Sequence, residues 1–158
     1  MTFRCLSCLI LPLLLLFGTS CSRDEGPLDV RDELSGTYSY KSGGISGLSS
    51  ALTLEISKHS VHPDRISLLL SPGDLSFYAE EIIRSQQGIH FRIPPQLVVV
   101  SGLPMVLEGK ELVELAGMPQ QAAYTPANRE LSMGLQLALM TPTGPRNPVA
   151  GVLVTERK

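Results

Sequence analysis

The stretch LSMGLQLAL at residues 131–139 decides the fold class, because apolar residues occupy every second position along it. Leu131, Met133 and each second residue up to Leu139 would point to one face of an extended chain. An amphipathic helix would instead repeat its apolar residues at intervals of three and four. The stretch therefore predicts a β-strand that turns one face to an apolar core.

Shorter runs with the same period of two occur on both sides of this stretch, and Gly and Pro residues separate them. The runs are Leu52-Leu54-Ile56, Ile66-Leu68-Leu70, Leu75-Phe77-Ala79, Ile89-Phe91-Ile93 and residues 149–155. Met105 to Leu115 is compatible with a strand or a short helical turn, and Pro94-Pro95 must interrupt a ladder or lie at an edge. We predict an all-β, antiparallel up-and-down barrel of eight or nine strands, with a β-sandwich as the alternative.

Composition limits the class of protein. The chain has 158 residues, of which 43% are hydrophobic and 18% charged, and its formal net charge is −2. Such a chain is too apolar to be disordered and long enough for one domain. The charge balance offers no basic surface, so we expect no nucleic-acid partner.

Residues 1–21 are typical of an export signal. Arg4 and the amino terminus give a positive start, and an apolar run from Leu9 to Phe17 follows, too short to span a bilayer as a stable helix. The next residues, Gly18-Thr19-Ser20 before Cys21, resemble the lipobox of bacterial lipoproteins, although Gly18 stands where that motif usually has Leu. The alternative is an ordinary cleaved signal peptide with an incidental cysteine.

The lipoprotein resemblance implies that diacylglycerol is joined to the thiol of Cys21, which becomes the acylated first residue after cleavage. Several acyl chains, such as palmitate, would give stable membrane attachment. Because Ser22 rather than Asp follows the cysteine, analogy with enteric bacteria favours the outer membrane over other sites in the cell envelope. The resemblance does not choose between its periplasmic and surface sides.

Three segments are predicted: a lipoprotein signal peptide at 1–20, a lipidated cysteine with a flexible tether at 21–33, and a β-barrel domain at 34–158. The tether segment is charged, contains Gly-Pro and has no apolar period. Alternatively, its last residues form a short turn packed on the domain. Cys5 and Cys8 lie in the part that would be removed, so the barrel must be stabilised by its own core.

A second resemblance begins at Gly36-Thr37-Tyr38, since calycins, which include lipocalins, open their first strand with Gly-x-Trp. The strand order and the segment from Phe91 to Gln96 (FRIPPQ) are similar to calycin-like lipoproteins of Bacteroidetes. The resemblance covers residues 34–158. It implies a calycin fold and a hydrophobic ligand of unspecified identity.

Arrangements typical of catalytic or metal sites are weak in this sequence. His59, His62 and Asp64 could meet only at a turn around Pro63, so we expect a solvated turn and no metal. Glu80 and Glu81 are adjacent, and on a regular strand their carboxylates would point to opposite faces. Nucleophile-elbow, phosphate-loop, zincin and dinucleotide-binding motifs are absent from the sequence. We therefore expect neither an enzyme nor a cofactor.

Two functional hypotheses follow. In the first, inward side chains line a pocket for a small hydrophobic ligand such as an acyl chain, and the candidates are Leu54, Leu68, Phe77, Phe91, Leu135 and Leu137. In the second, side chains fill the barrel, and it is a structural module or binds an envelope protein or glycan. Aromatic and arginine residues are frequent at interfaces, and the contact candidates are residues expected to be exposed, such as Tyr40, Tyr78, His90, Arg92 and Tyr124. Of these, His90 is expected to be a surface residue.

Overall fold

The computed structural model describes residues 28–45, 51–115 and 118–158. In this part of the chain the backbone forms one short helix and twelve β-strands. They are α1 (Val30–Leu34), β1 (Gly36–Gly44), β2 (Thr53–Lys58), β3 (Ile66–Ser71), β4 (Leu75–Ser85), β5 (Gly88–Arg92), β6 (Gln96–Val100), β7 (Leu103–Gly109), β8 (Val113–Leu115), β9 (Met118–Gln120), β10 (Ala122–Thr125), β11 (Glu130–Thr141) and β12 (Gly144–Arg157).

Eight of these strands close into an antiparallel barrel. Its neighbours follow the chain in the order β1, β2, β3, β4, β5, β10, β11 and β12, and β12 pairs back onto β1. Along this closing pair, Tyr38 lies opposite Arg157 and Gly44 opposite Val152. The predicted up-and-down barrel is therefore confirmed, and the β-sandwich alternative is wrong.

The remaining strands are inserted between β5 and β10. β6 and β7 form a hairpin, and β7 pairs with the second half of β11, from Leu139 opposite Met105 to Leu135 opposite Gly109. The first half of β11 pairs with β10 instead. Residues 105–115, for which a strand and a helical turn were both considered, lie largely in β7 and in β8, which pairs with β9.

Alternating apolar residues form the barrel core. Ile66, Leu68 and Leu70 of β3 are fully buried, and the residues between them are half-buried. In register, Leu68 lies between Ile56 of β2 and Phe77 of β4. Full burial of one such side chain contributes about 1.5–3 kcal/mol. The aliphatic interior is therefore a large source of stability.

The quoted stretch, residues 131–139, forms most of β11, but its regular alternation ends at Leu137. A register shift between Leu137 and Leu139 interrupts the pairing with β12. Ala138 is consequently buried, and Leu139 is only half-buried. Within β11 the predicted burial of every second side chain therefore holds from Leu131 to Leu137 and not beyond.

Helix α1 packs the entry of the chain against the barrel. Asp29 caps it by accepting a hydrogen bond from the Arg31 backbone N–H at 3.0 Å. Leu34 is fully buried, and its carbonyl accepts a 2.7 Å hydrogen bond from the Tyr38 hydroxyl. The last residues of the predicted tether segment are therefore packed on the domain, as in the alternative considered for them.

Candidate functional site

A groove of about 500 Å³ opens at the surface between β4 and β6. We call it the β4–β6 groove. It is lined by His59, Ser67, Ser76, Phe77, Tyr78, Pro95, Gln96 and Leu97. These residues offer hydroxyl, amide, imidazole and apolar surface, and none of the eight carries a carboxylate, ammonium or guanidinium group. The lining therefore suits an uncharged ligand that can form hydrogen bonds.

The groove exists because β5 covers only part of β4. β5 pairs with β4 between Glu80 and Ser85, and the chain then leaves through Ile93-Pro94-Pro95. Proline has no N–H group to donate, so Pro94 and Pro95 cannot extend the ladder. The Ile93 N–H donates to the Gln121 side-chain oxygen instead, at 2.9 Å. Ser76, Phe77 and Tyr78 consequently pair with β3 on one side and border the groove on the other.

Gln96 bridges the two walls of the groove. Its side-chain oxygen accepts a 2.9 Å hydrogen bond from the Tyr78 backbone N–H, and its side-chain nitrogen donates to the Tyr78 carbonyl at 2.8 Å. The same nitrogen lies 3.2 Å from the Pro94 carbonyl oxygen. One amide side chain thus holds β6 against β4 where the strands are not paired through their backbones.

A cluster of two arginines and two glutamates lies beside the groove. Arg92 Nη2 is 2.5 Å from Glu80 Oε1 and 2.9 Å from Glu81 Oε1, and Arg65 Nη2 is 3.2 Å from Glu80 Oε2. The Arg65 guanidinium also lies over the Tyr78 ring, 4.5 Å from its centroid, in cation–π geometry. Positive and negative charges balance within the cluster, so it adds no net charge to this side of the groove.

The prediction that Glu80 and Glu81 diverge is wrong. Glu81 has a φ of 54°, and the β4–β5 register shifts between Glu80 and Ile83. Such a bulge breaks the period of two and re-aims a side chain. Both carboxylates therefore reach Arg92, and the sequence carries no local signal for this irregularity.

His59 and His62 do come together at the predicted turn, with ring centroids 5.0 Å apart. His59 Nδ1 accepts hydrogen bonds from the backbone N–H groups of Val61 and His62, both at 3.2 Å, so that lone pair is already used. Within the described ranges, no group of three or more His, Cys, Asp or Glu side chains could hold a metal ion.

The six candidates for a hydrophobic pocket all belong to one buried cluster. Leu54, Leu68 and Leu135 are fully buried, and Phe77, Phe91 and Leu137 are at most 5% exposed. Of the six, Phe77 also borders the β4–β6 groove. Cys21, the predicted lipidation site, lies outside the described residues.

The five contact candidates do not share one surface. Tyr78 lines the groove and Arg92 lies beside it, whereas Tyr40 is half-buried against the core. The expected exposure of His90 and Tyr124 is wrong, because they are 8% and 5% exposed. The Tyr124 ring packs edge-on against Tyr38, with centroids 6.0 Å apart. Tyr124 belongs to the core, as do its register partners Ile89 and Leu131. His90 alternates with the core residues Ile89 and Phe91 and is buried all the same. Its burial shows that alternation in the sequence does not reveal whether neighbouring residues cover an outward side chain.

A second pocket, of about 410 Å³, lies between α1, the β2–β3 turn and β4, and includes Asp29, Arg31, Asp64 and Glu81 in its lining. Three of these four charges are already paired, Asp29 with Arg31 and Glu81 with Arg92. Arg31 Nε lies 2.9 Å from Asp29 Oδ1, and this side-chain hydrogen bond is the main reason why the pKa of Asp29 is far below its ordinary value. Lys58 Nζ is 3.1 Å from the same carboxylate. We therefore attribute this pocket to the packing of α1 against the barrel and do not consider it a candidate binding site.

Comparisons with protein-family models, curated proteins and solved structures found no match for the chain. The resemblance to calycin-like lipoproteins therefore stays an expectation based on the residues quoted above. In the part of the chain that the structure describes, no helix is both long and apolar enough to cross a membrane.

Proposed function

We propose that this protein is a lipid-anchored barrel of the cell envelope that binds an envelope partner in the β4–β6 groove. One observation carries the binding proposal: the wall of an otherwise closed barrel opens beside an uncharged lining that combines hydroxyl, amide and apolar groups. Binding surfaces commonly combine an apolar centre with a small number of placed polar groups.

Exposed apolar residues beside the groove support the same proposal. Leu97, on its rim, is 67% exposed, and Val99, two residues further along β6, is 60% exposed. In register, Leu97 lies opposite Val106 and Val99 opposite Pro104 of β7. These four residues form an apolar strip on one face of the hairpin. A strip of this kind next to a polar groove is typical of interaction surfaces.

The anchoring part of the proposal places diacylglycerol on Cys21 and the protein in the outer membrane. Support comes from the sequence of residues 1–21, which resembles a lipoprotein signal. Where the chain enters the barrel, α1 packs against it through the buried Leu34. In a diderm host the full-length chain should enter the detergent phase of Triton X-114. A Cys21→Ser variant should lose acylation and move to the aqueous phase, and equal partitioning of the two chains would contradict the anchor.

Photocrosslinking in the same host tests the groove. A photoreactive amino acid at Leu97 should yield a discrete crosslinked product in membranes. The control position is Ile83, which is 55% exposed on β4 and does not line the groove. Products of equal yield and size from both positions, or none from Leu97, would contradict binding at the groove.

A small hydrophobic ligand inside the barrel is the second candidate function. It is supported by the assembly of all six predicted pocket residues in one apolar cluster. Their near-complete burial is equally expected of an interior filled by side chains. Organic extraction of the natively purified full-length protein should release a stoichiometric apolar compound if this function is correct, and repeated extraction without one would contradict it.

A further inference from the structure

We propose that the β4–β6 groove takes an extended, uncharged polypeptide segment, which adds to the exposed edge of β4 as a strand. The inference rests on the proposed function and specifies its partner chemistry. It concerns the side of Ser76 to Tyr78 that faces away from β3, where β5 no longer covers β4. Strand addition of this kind obtains affinity from backbone hydrogen bonds and specificity from alternate side chains.

Gln96 shows what the edge recognises. Its amide accepts from the N–H and donates to the C=O of one residue, Tyr78, at 2.9 and 2.8 Å. A residue of an adjacent antiparallel strand would satisfy the same two groups in a hydrogen-bonded pair. The side chain of Gln96 therefore stands in for one peptide unit at the position where a neighbouring strand would lie.

The next pair of backbone groups along this edge belongs to Ser76. In a β-strand, residues two apart direct their N–H and C=O groups to the same side. Tyr78 directs both groups to Gln96, and Glu80, two residues further on, is paired with Arg92 of β5 on that same side. Ser76 consequently directs its N–H and C=O toward the groove that it lines.

The charges specify the occupant further. Arg65 and Arg92 are paired with Glu80 and Glu81, so the ionic cluster leaves no net charge to attract an acidic or basic segment. In the sequence, Ile93 to Leu107 contains no Asp, Glu, Lys or Arg. An uncharged segment with apolar residues at alternate positions would place them against Leu97 and leave its polar residues in water.

Peptide binding to the full-length protein in detergent micelles tests this inference. The probe is a fluorescently labelled hexapeptide, acetyl-Thr-Val-Thr-Val-Thr-Val-amide, and fluorescence anisotropy is the measurement. Two control peptides carry N-methyl groups on alternate amides. One is methylated at its odd-numbered residues and the other at its even-numbered residues, so that each loses the hydrogen-bond donors on one edge. We expect saturable binding of the parent and at least about tenfold weaker binding of one control, because more than one backbone hydrogen bond is lost.

Variants locate the binding edge. Gln96→Ala uncovers the backbone groups of Tyr78 and should strengthen binding of the parent peptide about threefold or more, because no side chain must be displaced. Ser76→Pro removes the donor that faces the groove and should weaken binding about fivefold or more. Proline is tolerated best at an edge where the missing N–H faces away from the ladder. Ser76→Ala keeps the backbone and should bind within about twofold of the parent protein.

The inference would be overturned by absent binding, or by N-methylated peptides that both bind as well as the parent. These results do not depend on any variant folding. The Leu97 crosslink separates this failure from failure of the proposed function. A crosslinked product that a glycosidase removes would support the groove as a binding site and exclude a polypeptide occupant. If neither peptide binding nor the crosslink is observed, both this inference and the proposed function are contradicted.

Discussion

His90 Nε2 lies 2.9 Å from the Ser85 hydroxyl oxygen in the β4–β5 hairpin. That hydroxyl donates to the Gly88 carbonyl at 3.2 Å, so its oxygen accepts from Nε2–H and from the Gln87 backbone N–H. The other ring nitrogen, Nδ1, is buried and has no hydrogen-bond partner among the described residues. The arrangement therefore favours a neutral imidazole, because a proton on Nδ1 would find no acceptor.

Acidification should destabilise the folded protein through His90. Burial lowers the pKa of His90 in the folded state, whereas in the unfolded chain it has its ordinary value near 6.5. The folded state thus binds fewer protons between these two values, and its stability rises with pH across that interval. The stability that the neutral His90 contributes is fully present above about pH 6.5. It is lost as the pH falls toward the pKa of His90 in the folded state. Urea unfolding at several pH values between 7.5 and 5 measures it.

A His90→Gln variant should give a flatter dependence of unfolding free energy on pH over this range, because an amide can donate to Ser85 without titrating. The control is His62→Gln in the exposed β2–β3 turn, which should retain the slope of the parent protein. If the parent and His90→Gln slopes agree, the acid sensitivity does not come from the hairpin.

Alanine substitutions at two glycines with positive φ distinguish the energetic cost of backbone strain from that of a steric clash. Gly88 has a φ of 145°, and a Cβ added there would lie 2.1 Å from the Tyr124 carbonyl oxygen. Gly73 has a φ of 116°, but an added Cβ would meet no heavy atom within 4 Å. Gly73→Ala should cost about 1–2 kcal/mol from strain alone. Gly88→Ala should cost more than about 3 kcal/mol, since β5 must also move away from β10.

Chemical denaturation of the two alanine variants makes the comparison. Equal losses at both positions would show that the backbone near Tyr124 yields to the extra methyl group. A selective loss at Gly88 would identify the contact between β5 and β10 as a rigid part of barrel closure.

The barrel itself was predictable because its requirements are local. Inward positions of a small barrel must be apolar. Apolar residues therefore occur at every second position in segments such as 66–70 and 131–137. Pro94-Pro95 also indicated a break in the ladder, and the break lies between β5 and β6. The antiparallel direction of neighbouring strands then followed from the short connections that join most of them.

The candidate groove could not be predicted from the sequence in the same way. It depends on the length of β5, on the change of partner along β11 and on the side chain of Gln96 reaching a residue 18 positions away. Each is a long-range pairing that leaves no pattern near the residues concerned. The bulge at Glu81 has the same character, since only the register of β4 against β5 shows that both glutamates meet Arg92.

Truncation of the barrel core should be costly. Leu68 is fully buried between Ile56 and Phe77, so Leu68→Ala would leave a cavity among side chains that cannot readily collapse. We expect a loss of about 2–5 kcal/mol in unfolding free energy. Leu97→Ala at a 67% exposed position should change it by less than about 0.5 kcal/mol. A loss below about 1 kcal/mol at Leu68 would indicate an interior that is not closely packed there.

Glu80 should contribute more to stability than an ordinary surface ion pair. Its side chain is 17% exposed, accepts a hydrogen bond from Arg92 and forms an ion pair with Arg65. The Nε atoms of both arginines are buried without a partner among the described residues. Glu80→Gln would leave these guanidinium groups with a weaker acceptor and an uncompensated charge. Because Arg92 remains 41% exposed, water compensates part of this loss, and we expect about 1–2 kcal/mol.

The control for Glu80 is Glu33→Gln, which removes an ion pair with Arg84 whose side chains are 37% and 50% exposed. Exposed pairs of this type contribute about 0–1 kcal/mol and are screened by salt. Urea unfolding in 50 mM and 500 mM NaCl should therefore nearly abolish the effect of Glu33→Gln at high salt and retain most of the effect of Glu80→Gln. If salt removes both effects equally, the cluster beside the groove is no more shielded than the surface, and its charges remain available to a charged partner.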